Sequence, residues 1–245
     1  MAAEHNIQEI YDVFNKTRWH GVDNAPNTTY CVVKFPAELG GGVEIFQNDG
    51  HHAEGKMIEK VEERIGDYIT PYFSELFTEV SSHSPIPLIK SSFIILPCIQ
   101  VYINYSPCLD CSAMLQTCIR SYKNKNVTIN LDIVAAFPYY TRRLSCQQEL
   151  ASCSTPEICS LKSQIRNALE NEQGLGLFNK TPELRLRAFN IQDWQIGLPK
   201  FLQLARPVGQ VRPISDLQYI YEDENCRSRQ LQDWCTNYDF RRFAP

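Results

Sequence analysis

His52, Glu54, Cys108 and Cys111 are the residues of this chain whose types and spacing best suit chemistry. They fall in two short stretches, Gly50-His51-His52-Ala53-Glu54 and Ser106-Pro107-Cys108-Leu109-Asp110-Cys111. One imidazole and two thiolates make three protein ligands for Zn²⁺ and leave the fourth tetrahedral corner to water, as a catalytic zinc site requires. A closed structural site would want a fourth ligand. Zinc there lowers the pKa of water toward about 7. Glu54, two positions past the histidine, suits proton transfer better than metal binding. It can take the water's proton, deliver it to a ring nitrogen and later protonate a departing amine. The implied chemistry is hydrolytic release of ammonia from an amidine-like carbon.

A lone Cys-x-x-Cys is weak, being compatible with redox-active, structural or idle thiols, and a lone His-x-Glu is weaker. Specificity comes from the pair in this order, with Pro107 directly before the first cysteine and each half at a strand-to-helix switch. His51 is the competing ligand, but it breaks the His-x-Glu spacing and is read as a neighbour. Both halves are predicted to open helices, whose positive N-terminal ends favour thiolate over thiol and would face one ion.

The elements that must hold these residues follow from periodicity. Ile7, Ile10, Tyr11 and Phe14 predict an amphipathic opening helix, and 19–27 a loop. Thr28 to Phe35 and Val43 to Gln47 predict a hairpin bent at Gly40-Gly41-Gly42. Met57, Ile58, Val61, Ile65, Tyr68 and Ile69 keep helical spacing after Glu54, and Thr70-Pro71 predicts a separate helical piece to Val80. A loop over 81–90 precedes a strand from Phe93 to Tyr105, whose buried part should begin near Cys98 because Pro97 cannot sit in a central ladder. The helix carrying Cys111 should end near Lys123, and Val127, Ile129, Leu131 and Ile133 predict one alternating strand. Ser145 with Gln148 reads as a capping box, and Thr155-Pro156 starts a helix that Gly174 and Gly176 close. Leu184, Leu186 and Ala188 suggest a fifth strand, with helices near Phe201 and through Leu231 to Tyr238. Strands interleaved with helices predict an α/β fold, a three-layer α/β/α sandwich with a five-stranded mixed sheet.

At 245 residues, with 43% hydrophobic residues, the chain can bury the core of a single domain. That domain spans 1–245, with an N-terminal helix in 1–20, an insertion at 70–92 and a helical extension at 205–245. The net charge of −4 gives no global basic field for nucleic acid, so a polynucleotide grip needs a local patch. No signal-peptide core or bilayer-length apolar run is evident, which predicts a cytoplasmic or nuclear protein without a membrane partner. Of the 10 cysteines, those outside the motif form no second ligand-spaced set; Cys146, Cys153 and Cys159 crowd one region, as free thiols or as a bridge or metal site.

His-x-Glu with Pro-Cys-x-x-Cys is shared with the zinc-dependent nucleobase deaminases. The chain resembles the AID/APOBEC cytidine deaminases and their novel AID/APOBEC-like branch. Thr28-Thr29-Tyr30-Cys31-Val32-Val33 resembles that family's first strand, and residues 133–140, Ile-Val-Ala-Ala-Phe-Pro-Tyr-Tyr, its fourth strand and specificity loop. The fifth-strand pattern returns over Ala188 to Trp194.

The resemblance implies zinc on His52, Cys108 and Cys111, with Glu54 as proton shuttle. It implies a base slot with Tyr139 stacking on the cytosine, Tyr105 beneath it, and Ala53 and Ser106 lining it, Ser106 by a backbone contact to the exocyclic amine. Asn27, Asn48 and Arg142 are the implied sugar or phosphate contacts. Read without the family, the lesser alternative for Tyr105 and Tyr139 is core or half-buried tyrosines at strand ends, Arg142-Arg143 are equally a phosphate contact or a solvated pair, and Arg185 and Arg187 are solvated side chains. The sequence departs from the family in the long Glu54–Pro107 spacing, in Tyr105 where tryptophan is usual, in Phe137 where arginine is usual and in its acidic charge.

Deamination of cytosine to uracil in single-stranded polynucleotide, DNA ahead of RNA, is the function the resemblance implies, with defence against foreign DNA as its setting. A free cytidine or deoxycytidylate deaminase and a catalytically silent, zinc-stabilised nucleic-acid-binding protein are the alternatives. Monomer and dimer both remain open.

Overall fold

The structure, a computed structural model, describes residues 6–19, 27–79, 93–137, 171, 173–206 and 210–213. Helix α1 (Ile7–Trp19) leads into strands β1 (Tyr30–Lys34) and β2 (Val43–Gln47) and then helix α2 (Ala53–Glu79). Strands β3 (Ile94–Ile95) and β4 (Ile99–Tyr105) precede helix α3 (Leu109–Lys123), which is followed by β5 (Val127–Thr128) and β6 (Leu131–Phe137). Helical residues 173–179, here α4, lead to β7 (Leu184–Ala188), a π-helical turn (Asp193–Gly197) and α5 (Leu198–Ala205).

Five strands form one mixed sheet in the order β2-β1-β4-β6-β7. β1 is antiparallel to both β2 and β4, whereas β4, β6 and β7 run parallel. Side-chain alternation sends Cys31, Val33, Val101, Ile103, Ile133 and Ala135 to one face, where they pack with Met57, Val61 and Ile65 of α2 and Leu115 and Ile119 of α3. Val32, Tyr102, Val134 and Ala136 face the other way, onto Ile10 and Phe14 of α1 and Leu198 and Leu202 of α5. The fold is therefore the expected three-layer α/β/α sandwich.

Three local expectations are corrected. Pro71 lies inside one continuous α2 instead of starting a second piece. The helix survives the missing proline amide there, and the Thr70 hydroxyl folds back to donate to the Gly66 carbonyl at 2.6 Å. The alternating run from Val127 is two strands, because Val127 and Thr128 pair with β3 in a separate two-stranded sheet while Leu131 onward enters the main one. Gly174 and Gly176 do not close a helix; both lie within α4 and are buried. β4 begins at Ile99, just past Pro97, as the proline requires. The expected helix from Pro156, the capping box at Ser145, the 81–90 loop, the crowded cysteines and the helix through Leu231 to Tyr238 lie outside the described residues.

Buried polar groups tie the layers. Asn104 accepts the Tyr30 amide at 2.7 Å and donates to the Thr28 carbonyl at 2.9 Å and the Thr17 hydroxyl at 3.2 Å, joining β4, the lead into β1, and α1. Asp193, whose side chain is only 6% exposed, takes Arg187 from β7 through both carboxylate oxygens at 2.5 and 2.9 Å and the Tyr102 hydroxyl at 2.9 Å. Arg187 is thus paired, not simply solvated as the sequence reading had it; Arg185 is exposed. Gly197 packs on this network so tightly that a methyl group would run into the Tyr102 hydroxyl.

Gly197→Ala is expected to destabilise by about 1–3 kcal/mol through overpacking. Tyr102→Phe removes the obstructing oxygen, so the double variant should recover part of the loss, a coupling of about 1 kcal/mol in urea denaturation. Strict additivity would show that the clash does not govern the cost.

Candidate metal centre

Two helix starts meet at one end of the sheet. β2 ends at Gln47, and a turn through Asn48-Asp49-Gly50, with Gly50 at φ +95°, brings the chain to His52. The His52 carbonyl accepts the Gly55 amide at 3.0 Å, so the residue stands at the head of α2 with Glu54 in the first turn. β4 ends at Tyr105, and Ser106-Pro107 leads to Cys108, the N-cap of α3. The Cys108 carbonyl accepts the Ser112 amide at 2.9 Å, closing a turn that carries Cys111 back to the same spot.

His52 Nδ1 lies 3.1 Å from Cys111 Sγ and 3.6 Å from Cys108 Sγ, and the three ligand atoms all lie within 4.8 Å of one another. Tetrahedral zinc bonds of about 2.0 Å to nitrogen and 2.3 Å to sulfur place such atoms about 3.5 Å apart, so the donor set fits. These residues could hold a metal ion such as zinc, and among the described residues they are the one such group of three. Cys111 is buried, Cys108 half-buried and His52 exposed, so the site opens to solvent on the imidazole side. His51 is also exposed and lies by Asp49, whose carboxylate pairs with Lys56.

The two cysteines are shifted in opposite directions. A hydrogen bond from the Cys111 thiol lowers Cys108 to about 5, against the cost of burial and with help from His52. The same hydrogen bond and burial push Cys111 up. A bound metal would take both sulfurs as thiolates and release their protons. Glu54 is 5% exposed, and burial pushes its carboxyl up to about 7, with the charge of Cys108 adding to the rise. A backbone hydrogen bond, His52 and Cys111 pull it back. Buried Cys31 on β1 is raised by burial first and by the charge of Glu54 second.

The expected substrate contacts divide. Ala53 is fully buried at the first position of α2, and Ser106 and Tyr105 are buried on the approach to Cys108, with Tyr105 paired in register with Phe137. Asn27 is exposed. Asn48 is engaged by the chain itself: its Oδ1 accepts the Thr29 amide at 2.8 Å and its Nδ2 donates to the Asn27 carbonyl at 3.0 Å. Tyr139 and Arg142 lie outside the described residues. Sequence reasoning missed Asn104 and Asp193, since a buried asparagine or aspartate carries no periodic signal.

No family model and no curated protein matches the chain. Among the described residues no helix is long and apolar enough to cross a membrane.

The purified protein is expected to carry one zinc per chain. Cys111→Ser should weaken zinc binding by more than about a hundredfold, beyond the loss that a supporting contact brings, whereas Cys98→Ser, at an exposed thiol on the lead into β4, should leave it unchanged. Elemental analysis with chelator competition checks both.

Proposed function

We propose that the chain is a zinc-dependent hydrolytic deaminase that converts cytosine to uracil in single-stranded polynucleotide, DNA ahead of RNA. The observation that carries the reading is the meeting of His52, Cys108 and Cys111 with buried Glu54 at two apposed helix starts. When bound, zinc supplies Lewis acidity that makes hydroxide available near neutral pH.

The chain's own residues supply the rest. His52, Cys108 and Cys111 are three ligands and leave one tetrahedral position free. Glu54 is held in the first turn of α2, where burial raises its carboxyl to about 7; as carboxylate it can take one proton from water and give it to the ring nitrogen, then take a second from the hydroxyl added at the ring carbon and give it to the leaving amine. Ala53, buried next to Glu54 in the chain, and Tyr105 with Ser106, buried where β4 leads toward Cys108, would line the base slot. A base must bring its ring edge up to Glu54, which a base paired and stacked in a duplex cannot do, and this favours single-stranded substrate. Tyr139 is proposed to stack on it and Arg142 to meet phosphate, on the family resemblance alone.

Glu54→Ala should lower cytosine conversion in an oligonucleotide pool by about 10³ or more while zinc content stays near one per chain. Sequencing the pool after incubation, with free cytidine and deoxycytidylate assayed in parallel, reads the outcome. Turnover of the free nucleotides alone would overturn the polynucleotide reading. A wild type inactive on every cytosine substrate, zinc in place, would overturn the enzyme.

A further inference from the structure

We propose that Gly174 is a positioning residue for the metal centre, setting where the Cys108–Cys111 turn stands relative to His52; this rests on the metal reading above. A Cβ at Gly174 would lie 2.8 Å from Leu109 Cα, 3.0 Å from Leu109 N and 3.1 Å from Ser112 Oγ. Leu109 is joined directly to Cys108, and Ser112 follows Cys111, so α4 abuts the turn that presents both sulfurs. The two nearest atoms are backbone, and no side-chain rotation relieves them.

The helix has little freedom to retreat. Gln116 of α3 donates to the Thr181 hydroxyl at 2.8 Å and to the Leu177 carbonyl at 3.4 Å, fixing the far end of α4 along α3. Phe178 is buried in the same core as Leu115, Cys118 and Ile119. On the other helix start there is room: the nearest atom to a Cβ at Gly55 is Met114 Cε, at 3.8 Å. A methyl group at Gly174 is therefore relieved mainly by moving the cysteine turn, while His52, carried by α2, stays behind.

The test uses the full chain loaded with Co²⁺ in place of zinc. Wild type should take one cobalt with the absorption of a tetrahedral site bearing two thiolates; failure here would overturn the metal reading itself, independently of Gly174. Gly174→Ala should keep the native circular dichroism, change the cobalt spectrum and bind zinc about tenfold or more weakly in chelator competition. Gly197→Ala, on the opposite face of the sheet, should lower stability with spectrum and affinity unchanged, which separates positioning from general destabilisation. Should Gly174→Ala fail to fold, Thr181→Val, which removes the Gln116 hydrogen bond at the far end of the same contact, is expected to move both readouts in the same direction by less. A folded Gly174→Ala, or in its absence Thr181→Val, with wild-type spectrum and affinity would overturn the proposal.

Discussion

The first turns of α2 and α3 stand side by side because the two helices share one apolar core on a face of the sheet, and the candidate metal centre depends on that packing. Met57, Ile58, Val61 and Ile65 from α2 interlock with Leu115, Cys118, Ile119 and Tyr122 from α3 over one face of the sheet. His52 and Cys108, 56 positions apart in the chain, thereby come within 3.6 Å. Rigid elements hold ligands more accurately than loops do, because each side chain inherits the position of a packed helix. The same packing buries Glu54, an expense in desolvation that a stability requirement alone would not select.

The opposite face of the sheet has a different task. It carries no ligand among the described residues, and its polar groups are spent on tying layers together: Asn104 on β1 and α1, Asp193 on Arg187 and Tyr102. Because one face is closed by such contacts, β4 can end at a fixed height, and the turn through Ser106 and Pro107 delivers Cys108 from a firm base. The close-packed glycines mark where helices press hardest on this frame, Gly197 beneath Tyr102 and Gly174 beside Leu109.

Much of this was legible in the sequence where chemistry or period is explicit. The His-x-Glu and Cys-x-x-Cys spacings named the four central residues, the glycine bend at 40–42 marked the β1–β2 hairpin, alternation marked the start of β6 and β7, and Pro97 marked where β4 begins. What escaped has a common cause, namely that tertiary contact overrides local preference. Pro71 breaks isolated helices but sits within α2 here. Gly174 resembles a helix stop until its approach to Leu109 is seen. The Val127–Ile133 run reads as one strand because periodicity does not reveal that its first two residues pair with β3 and the rest with β4 and β7. Asn48 looked free to meet substrate, yet it is occupied by the backbone of 27–29.

Anomalous diffraction at the zinc edge from crystals of the zinc-loaded protein tests the central claim most directly. The account predicts a single peak within bonding distance of His52 Nδ1, Cys108 Sγ and Cys111 Sγ, with its fourth position turned to solvent beside Glu54. A peak elsewhere, or one closed by a fourth protein ligand such as Glu54 or Cys31, would contradict it.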